Sequence, residues 1–280
     1  MTVINTNTGS LYAQQAMTSN ARGLSAVMQQ LSTGKRINNS VDDVAGMAIS
    51  TRLTSQIRGL NQAVRNSNDG ISLIQTAEGA TEQVTNMLQR MRELAVQASN
   101  DTNNTNDRSF LDLEFQALNS QINKIATNTQ WNAANVLDGT SRGSGSGVFS
   151  FQVGANASQT ISVTLPNMQT SSGGVLSNIA SSVITNSTSA NSALGSISTA
   201  LDNVNLERAK MGAVISRLQF TSDNLSNVAA KAQESRSRIE DTDYSQSTTD
   251  LARRNIIQQA AQAMLAQANQ APQAVLQLLR

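Results

Sequence analysis

Apolar residues recur at alternating steps of three and four over long stretches of this chain of 280 residues. Such heptad spacing is typical of helices that pack side by side in coiled coils or bundles. It predicts one helix over residues 43–99, a second around residues 111–125 and a third over residues 190–232. The buried positions expected in the longest ladder are Ala190, Leu194, Ile197, Leu201, Val204, Met211, Ile215, Leu218, Leu225, Ala229 and Ala232, with Arg208 and Ser222 as polar interruptions.

Polar residues indicate where the first of these helices begins and ends. Ser40 and Asp43 have the spacing of a capping box, in which two polar side chains satisfy free backbone N–H groups at a helix start. Residues 100–106 are rich in Asn and Thr and predict a loop.

Residues 140–189 have a different pattern from the helical segments around them. A Gly/Ser-rich stretch is followed by two short runs in which apolar residues alternate, with Gly154 between the runs. This pattern predicts a β-hairpin, and residues 169–189 are predicted to be surface loop and turns. The fold class expected is mainly α: an elongated, coiled-coil-like bundle of N- and C-terminal helices with a small β-hairpin.

Both ends of the chain carry apolar heptads but almost no charge, since Arg22 is the one charged residue in 1–34 and residues 255–279 have none. A helix that faces water in a monomer normally has charged side chains. A self-assembly seam is therefore predicted at Leu24, Met28, Leu31, Ile257, Ala261, Met264, Ala268, Val275 and Leu278. Two alternatives stay open: these residues form an ordinary intramolecular core, or the helices lie on a membrane surface, although the latter favours Lys and Arg on the polar face.

Several classes of function are disfavoured by what the sequence lacks. It has no Cys and no His, which removes thiolate chemistry, the commonest general base and the commonest metal ligand. Ser32 to Lys35 match the Ser-x-x-Lys pattern of an acyl-enzyme family. A companion motif of that family, Lys-Thr-Gly, is missing from the sequence. Glu240, Asp241 and Asp243 lack calcium-loop spacing and suggest a hinge or helix start. With a net charge of +1 and no long apolar run, we expect no enzyme activity, cofactor, nucleic-acid partner or membrane span.

A series of longer motifs resembles the bacterial flagellin family, in order and over nearly the whole chain. They are INTN from Ile4, LSTGKRIN from Leu31, DDVAGMAI from Asp42, QIRGLNQA from Gln56, NDGIS from Asn68, QTAEGA from Gln75, LQRMRELAVQ from Leu88, FQVGAN from Phe151 and QANQAP from Gln267. The resemblance implies a short flagellin that lacks the outer variable domains of longer members.

The resemblance also implies a division into functional domains. Residues 1–40 and 240–280 would form the two halves of an inner tube domain, which is disordered in flagellin monomers and folds on assembly. Residues 41–139 and 190–239 would form the two halves of a rod domain, joined by the hairpin and short surface loops of residues 140–189.

The function that the resemblance implies is that of a subunit of the extracellular flagellar filament, secreted by type III export and used for swimming. Its partners would be other copies of itself, the flagellar cap and hook-junction proteins, and an export chaperone at the C-terminal helix. Toll-like receptor 5 would contact Arg90, Leu94 and Glu114. The alternatives are a hook–filament junction protein of the same family and a membrane-active amphipathic secreted protein.

Overall fold

The computed structural model describes residues 6–140, 147–171 and 173–278, with side chains as far as residue 270. Within these residues it has five α-helices: α1 (Thr8–Thr33), α2 (Val44–Ser99), α3 (Thr105–Asn128), α4 (Ser187–Glu240) and α5 (Tyr244–Leu278). Strand β1 (Gln130–Trp131) pairs in antiparallel orientation with β2 (Ala134–Asn135). Strand β3 (Val148–Gln152) pairs in the same way with β4 (Thr160–Thr164). A 3-10 helix covers Ser177–Ile179. The mainly α fold with a small hairpin is confirmed.

The chain divides into two compact units. The first contains the residues up to Ile57 and those from Ala230 onward, and the second contains Arg58–Ala229. The domain limits suggested by the family resemblance, at residues 40 and 240, stay a prediction about function.

The helix start near residue 43 is confirmed, but the capping box predicted there is wrong. The Gly46 N–H donates to Asp43 Oδ1 at 2.8 Å, so Asp43 itself caps α2. The Ser40 hydroxyl donates instead to Met47 Sδ at 3.3 Å. The sequence spacing is misleading because α2 begins only at Val44, so Asp43 is the capping residue and not the third residue of the first turn.

The long heptad ladder of α4 forms the centre of the core in the second unit. Residues at steps of seven are all buried: Ala190, Ile197, Val204, Met211, Leu218 and Leu225. Apolar side chains of α2 and α3, including Leu88, Met91 and Phe115, pack in the same core. The predicted packing of three helices is confirmed.

The segment after the hairpin is more buried than the sequence suggests. Leu176, Ile179 and Ile184 expose no surface and belong to the helical core. The Ile184 N–H also donates to Asp112 Oδ1 on α3 at 2.9 Å. The prediction of a surface loop is therefore wrong for these side chains, because Ser, Thr and Gly indicate irregular backbone but not which side of it is buried.

The hairpin formed by β3 and β4 has the predicted alternation, with Phe149 opposite Val163 and Phe151 opposite Ile161. A glycine on α2 lets the hairpin approach that helix closely. A Cβ atom at Gly70 would lie 3.1 Å from the Phe151 ring.

Candidate assembly and receptor surfaces

The helices α1 and α5 pair in antiparallel orientation. The Asn7 side-chain amide donates to the Ala268 carbonyl at 2.7 Å, and the Tyr244 hydroxyl donates to the Leu31 carbonyl at 3.2 Å. Asn7 and Leu31 are 24 positions apart, as are Ala268 and Tyr244, so the two helices keep one register between these contacts.

A polar contact lies in the middle of this pair. Asn20 is buried on α1, and its amide donates to the Arg254 carbonyl on α5 at 2.9 Å. The Arg254 side chain crosses α1 at Gly23, where a Cβ atom would collide with the guanidinium group. A side chain at position 23 would therefore displace the Arg254 guanidinium group from its present place against α1.

The residues of α1 and α5 that are partly buried follow heptad spacing on each helix. On α1 they include Ser10, Ala13, Met17, Asn20, Leu24, Val27 and Leu31, and on α5 they include Leu251, Arg254, Gln258, Ala261, Leu265 and Ala268. Each of the three hydrogen bonds between the helices has at least one partner in these rows. They form the α1–α5 interface within one chain.

The predicted seam is therefore divided between the α1–α5 interface and the exposed surface of the pair. Leu24, Leu31, Ala261 and Ala268 lie in the α1–α5 interface, as the intramolecular alternative requires. Met28, Ile257 and Met264 lie outside it and are 57%, 41% and 65% exposed. The side chains of Val275 and Leu278 lie outside the described residues.

Sequence reasoning missed four further exposed apolar or aromatic residues on this pair, namely Leu11, Tyr12, Tyr244 and Ile256. It also missed Arg254 and Gln258 as interface positions, because a search for apolar spacing passes over polar residues. The alternating steps of three and four residues from Leu251 to Ala268 were the sequence signal that could have identified these two interface positions.

Glu240 is the centre of a polar cluster in the first unit. It forms ion pairs with Lys35 and, at 3.9 Å, with Arg236, and the Ser50 hydroxyl donates to it at 2.6 Å. The hydrogen bonds from Lys35 and Ser50 hold the pKa of Glu240 below its ordinary value, against the effect of burial. Asp243 accepts a hydrogen bond from the Ser245 N–H at 2.8 Å at the start of α5, so the helix start expected there is confirmed.

Two of the three predicted receptor-contact residues lie together on the surface of the second unit. Arg90 on α2 donates to Glu114 on α3 and to Glu93, each at 2.9 Å. These hydrogen bonds raise the pKa of Arg90 above its ordinary value, and the bond to Glu114 has the largest effect. Leu94 is only 1% exposed and packs in the helical core. Its side chain cannot meet a partner on the folded chain, which leaves Arg90 and Glu114 as the candidate contacts.

Across residues 6–140, 147–171 and 173–278, no cluster of three acidic side chains is arranged to hold a metal ion. None of the helices in these ranges combines the length and apolar character needed to cross a bilayer.

Two family models match this chain. The bacterial flagellin N-terminal helical region matches residues 4–142, and the bacterial flagellin C-terminal helical region matches residues 194–279. A flagellin of Halalkalibacterium halodurans is 46% identical over 99% of this chain and 100% of its own length. The flagellar filament 33 kDa core protein of Treponema phagedenis is 37% identical over 99% of this chain and 100% of its own length.

A solved structure also resembles the fold. It is a Vibrio parahaemolyticus protein, provisionally described as flagellar hook-associated, with a TM-score of 0.61 and 14% sequence identity over 71% of this chain and 100% of that one. At that identity the likeness concerns the fold alone. The full-length matches to flagellins and the two family models agree with each other. This chain belongs to the bacterial flagellin family.

Proposed function

We propose that this chain is a structural, non-catalytic subunit that polymerises into the extracellular flagellar filament used for swimming. The observation that carries the proposal is the exposed apolar surface of the α1–α5 pair, at Met28, Ile257 and Met264, in a region with almost no charge. Burial of an apolar side chain contributes roughly 1.5–3 kcal/mol. Other copies of the same chain are the occupants that would bury these side chains in a filament.

Membership of the flagellin family supports this choice of partner. The Treponema phagedenis relative, which matches the full length, is named as a filament core protein. A contact between two different faces of neighbouring copies produces an open helical polymer when its rotation does not close into a ring. In this proposal α1 and α5 pair within the chain of each assembled subunit and present their remaining apolar residues to other copies.

Electron microscopy tests polymerisation directly. Purified protein is seeded with filament fragments or treated with a precipitating salt, and we expect long filaments. A chain that lacks residues 255–280 should form none, because most of α5 is removed. Filaments from the truncated chain would show that the terminal helices are not needed for assembly.

The same exposed apolar residues support the proposal that the subunit has a chaperone and specialised neighbours. An exposed apolar helix surface associates non-specifically unless it is covered. We infer that an export chaperone covers α5 before type III secretion, and that the cap and hook-junction proteins meet the subunits at the filament ends. Loss of chaperone binding on removal of residues 255–280 would support the first of these partners.

Receptor recognition would use the surface around Arg90 and Glu114. Their hydrogen bond at 2.9 Å joins α2 to α3 and presents a fixed pair of opposite charges to solvent. Toll-like receptor 5 is the partner inferred from the family resemblance. Binding of the receptor ectodomain to Arg90→Glu, compared with Arg58→Glu on the same helix, tests whether this surface is selective.

A hook–filament junction protein of the same family is the second candidate, since the family resemblance leaves it open. A junction protein would add to hook ends without forming long filaments alone. The seeded polymerisation experiment separates the two functions, since long filaments from the pure chain favour the filament subunit. Binding to liposomes without fibres would favour the membrane-active alternative.

A further inference from the structure

The methionines of this chain differ sharply in exposure. Eight of its nine methionines lie in the described residues. Met91, Met168 and Met211 are at most 1% exposed and belong to the core of the second unit. Met28 and Met264 are 57% and 65% exposed, and both lie on the exposed surface of the α1–α5 pair. The thioether groups that solvent reaches most easily are therefore those of the two terminal helices.

The other three methionines of the described residues are each covered in part. Met17 lies in the α1–α5 interface. Met87 packs against the helical core, and Met47 Sδ accepts a hydrogen bond from the Ser40 hydroxyl at 3.3 Å. Unpairing of α1 from α5 would expose Met17 as well, and would cover neither of the two exposed methionines. Those two are therefore accessible before assembly whether or not the pair has formed.

A thioether sulfur reacts with a peroxide without a catalytic group from the protein. A lone pair of the sulfur attacks a peroxide oxygen, so that an S–O bond forms and the O–O bond breaks. With hydrogen peroxide, the sulfur loses two electrons and the peroxide is reduced to water, which keeps both protons. The product, methionine sulfoxide, is polar, whereas the thioether is flexible and apolar. Access of the oxidant therefore decides which methionines react first.

Oxidation at Met28 and Met264 would change the exposed surface of the α1–α5 pair. Met264 lies seven residues after the exposed Ile257, so both side chains lie on one side of α5. Residues 255–279 contain no charged side chain, so this part of the surface is neutral. A polar group that is buried in such surroundings without a hydrogen-bond partner is costly. Burial of this surface between copies is therefore less favourable after oxidation.

We propose that Met28 and Met264 are modification sites at which a peroxide opposes assembly of this chain, and that assembly in turn protects them. The proposal rests on the proposed function, polymerisation, and adds a covalent control of it. Before assembly both thioethers are open to solvent, and in the filament neighbouring copies cover them. Methionine sulfoxide reductases convert the sulfoxide back to the thioether, so the control is reversible.

Treatment of the monomer with hydrogen peroxide, stopped with catalase, tests the effect on assembly. Peptide mass spectrometry locates the added oxygen atoms, and light scattering measures the critical concentration for polymerisation. We expect sulfoxides at Met28 and Met264 before any at the core methionines, and a critical concentration that is raised at least severalfold. Methionine sulfoxide reductases should restore the original value. An unchanged critical concentration after complete oxidation of both residues would overturn the proposal.

Two double variants identify the residues responsible. Met28→Leu/Met264→Leu removes both thioethers but keeps apolar side chains of similar volume, so its critical concentration should be the same after peroxide as before. Met47→Leu/Met87→Leu removes the same number of methionines at partly buried positions and is the matched control. Peroxide should affect this control as much as the parent chain. Equal sensitivity of the two double variants would assign the effect to another group and overturn the proposal.

Oxidation of assembled filaments tests the protection without any variant. The same peroxide treatment should oxidise Met28 and Met264 at least severalfold more slowly in filaments than in the monomer. Equal rates in the two states would show that neighbouring copies do not cover these residues, and the proposal would be wrong although polymerisation is intact. Failure of the untreated parent chain to form filaments would instead refute the proposed function, and this inference with it.

Discussion

Lys35 and Glu240 form an ion pair between the segment that follows α1 and the last residue of α4. The backbone supports the same junction, since the Arg36 N–H donates to the Glu240 carbonyl at 2.6 Å. Glu240 also accepts from the Ser50 hydroxyl on α2 at 2.6 Å. Three separate parts of the sequence thus meet at one carboxylate in the first unit.

The stability of this junction should depend on pH through Glu240. The pKa of Glu240 is lowered in the folded chain by Lys35 and Ser50. Its contribution is therefore fully present above the pKa of an unfolded Glu, about 4.3, and is lost as the pH falls through the lower folded value. We expect Glu240→Gln to lower the free energy of unfolding by about 1 kcal/mol at pH 7, and by much less near pH 2.

Thermal unfolding at the two pH values measures this difference. Glu234→Gln, in an exposed ion-pair cluster on the same helix, is the matched control and should have a smaller effect at pH 7. An effect of Glu240→Gln that is equal at both pH values would exclude the carboxylate charge as its cause.

Two glycines of α2 should respond oppositely to substitution by alanine. Gly79 has no atom within 4 Å of an added Cβ, so Gly79→Ala should stabilise the chain by about 0.5–1 kcal/mol through helix propensity. At Gly70 the added Cβ would lie 3.1–3.2 Å from three atoms of the Phe151 ring. We expect Gly70→Ala to be less stable than Gly79→Ala by about 1 kcal/mol or more.

Urea unfolding of the two variants provides the comparison. The Gly70 variant should also shift the NMR signals of the hairpin, whereas the Gly79 variant should not. Equal stabilisation by both substitutions would mean that the hairpin can move away from α2 at little cost.

The helices of this fold were predictable from sequence because burial of one helix face requires a repeat near 3.5 residues. The ladder from Ala190 to Leu225 is buried at every seventh position, and the predicted start of α2 is within one residue of the observed one. The hairpin was predictable for the same reason with a period of two, since Phe149 and Phe151 face Val163 and Ile161.

The candidate site was less predictable, because α1 and α5 are rich in Ala and Gln on every face. Hydrophobic spacing selected Ile257 and Met264, whereas the α1–α5 interface uses Arg254 and Gln258. Packing against a partner decides which face is inside, and a single sequence does not specify that partner. Leu94 is an example of the opposite error. A motif predicted that it lies on a receptor-binding surface, but its side chain is buried in the core.

The turn between β1 and β2 holds a residue in an unfavourable backbone conformation. Ala133 has a φ angle of 61°, in the left-handed region that favours glycine. Ala133→Gly should relieve about 1–2 kcal/mol of backbone strain in the folded chain. The greater conformational freedom of glycine in the unfolded chain should offset about 0.5–1 kcal/mol of that gain. We therefore expect a net stabilisation of about 0.5–1 kcal/mol.

Chemical denaturation tests this expectation against a neighbouring substitution. Ala134→Gly lies in β2 without a positive φ angle and should destabilise the chain slightly. If both substitutions destabilise the chain equally, Ala133 is not strained.

The exposed face of the α1–α5 pair should control polymerisation without controlling the fold. Met264 is 65% exposed, so Met264→Glu should leave the helix content of the monomer unchanged. In a filament the same substitution would lose roughly 1.5–3 kcal/mol of apolar burial and add the cost of burying a charge. We expect the critical concentration to rise at least tenfold or polymerisation to stop.

Gln262→Glu adds the same charge at an exposed position of α5 that is already polar, so it isolates the role of the apolar face. Light scattering measures the critical concentration, and circular dichroism checks the fold. The control should polymerise nearly as well as the parent chain, because a polar position loses no apolar contact. Equal loss of polymerisation in both variants would show that assembly responds to charge anywhere on α5, and Met264 would then lose its assigned place in the assembly surface.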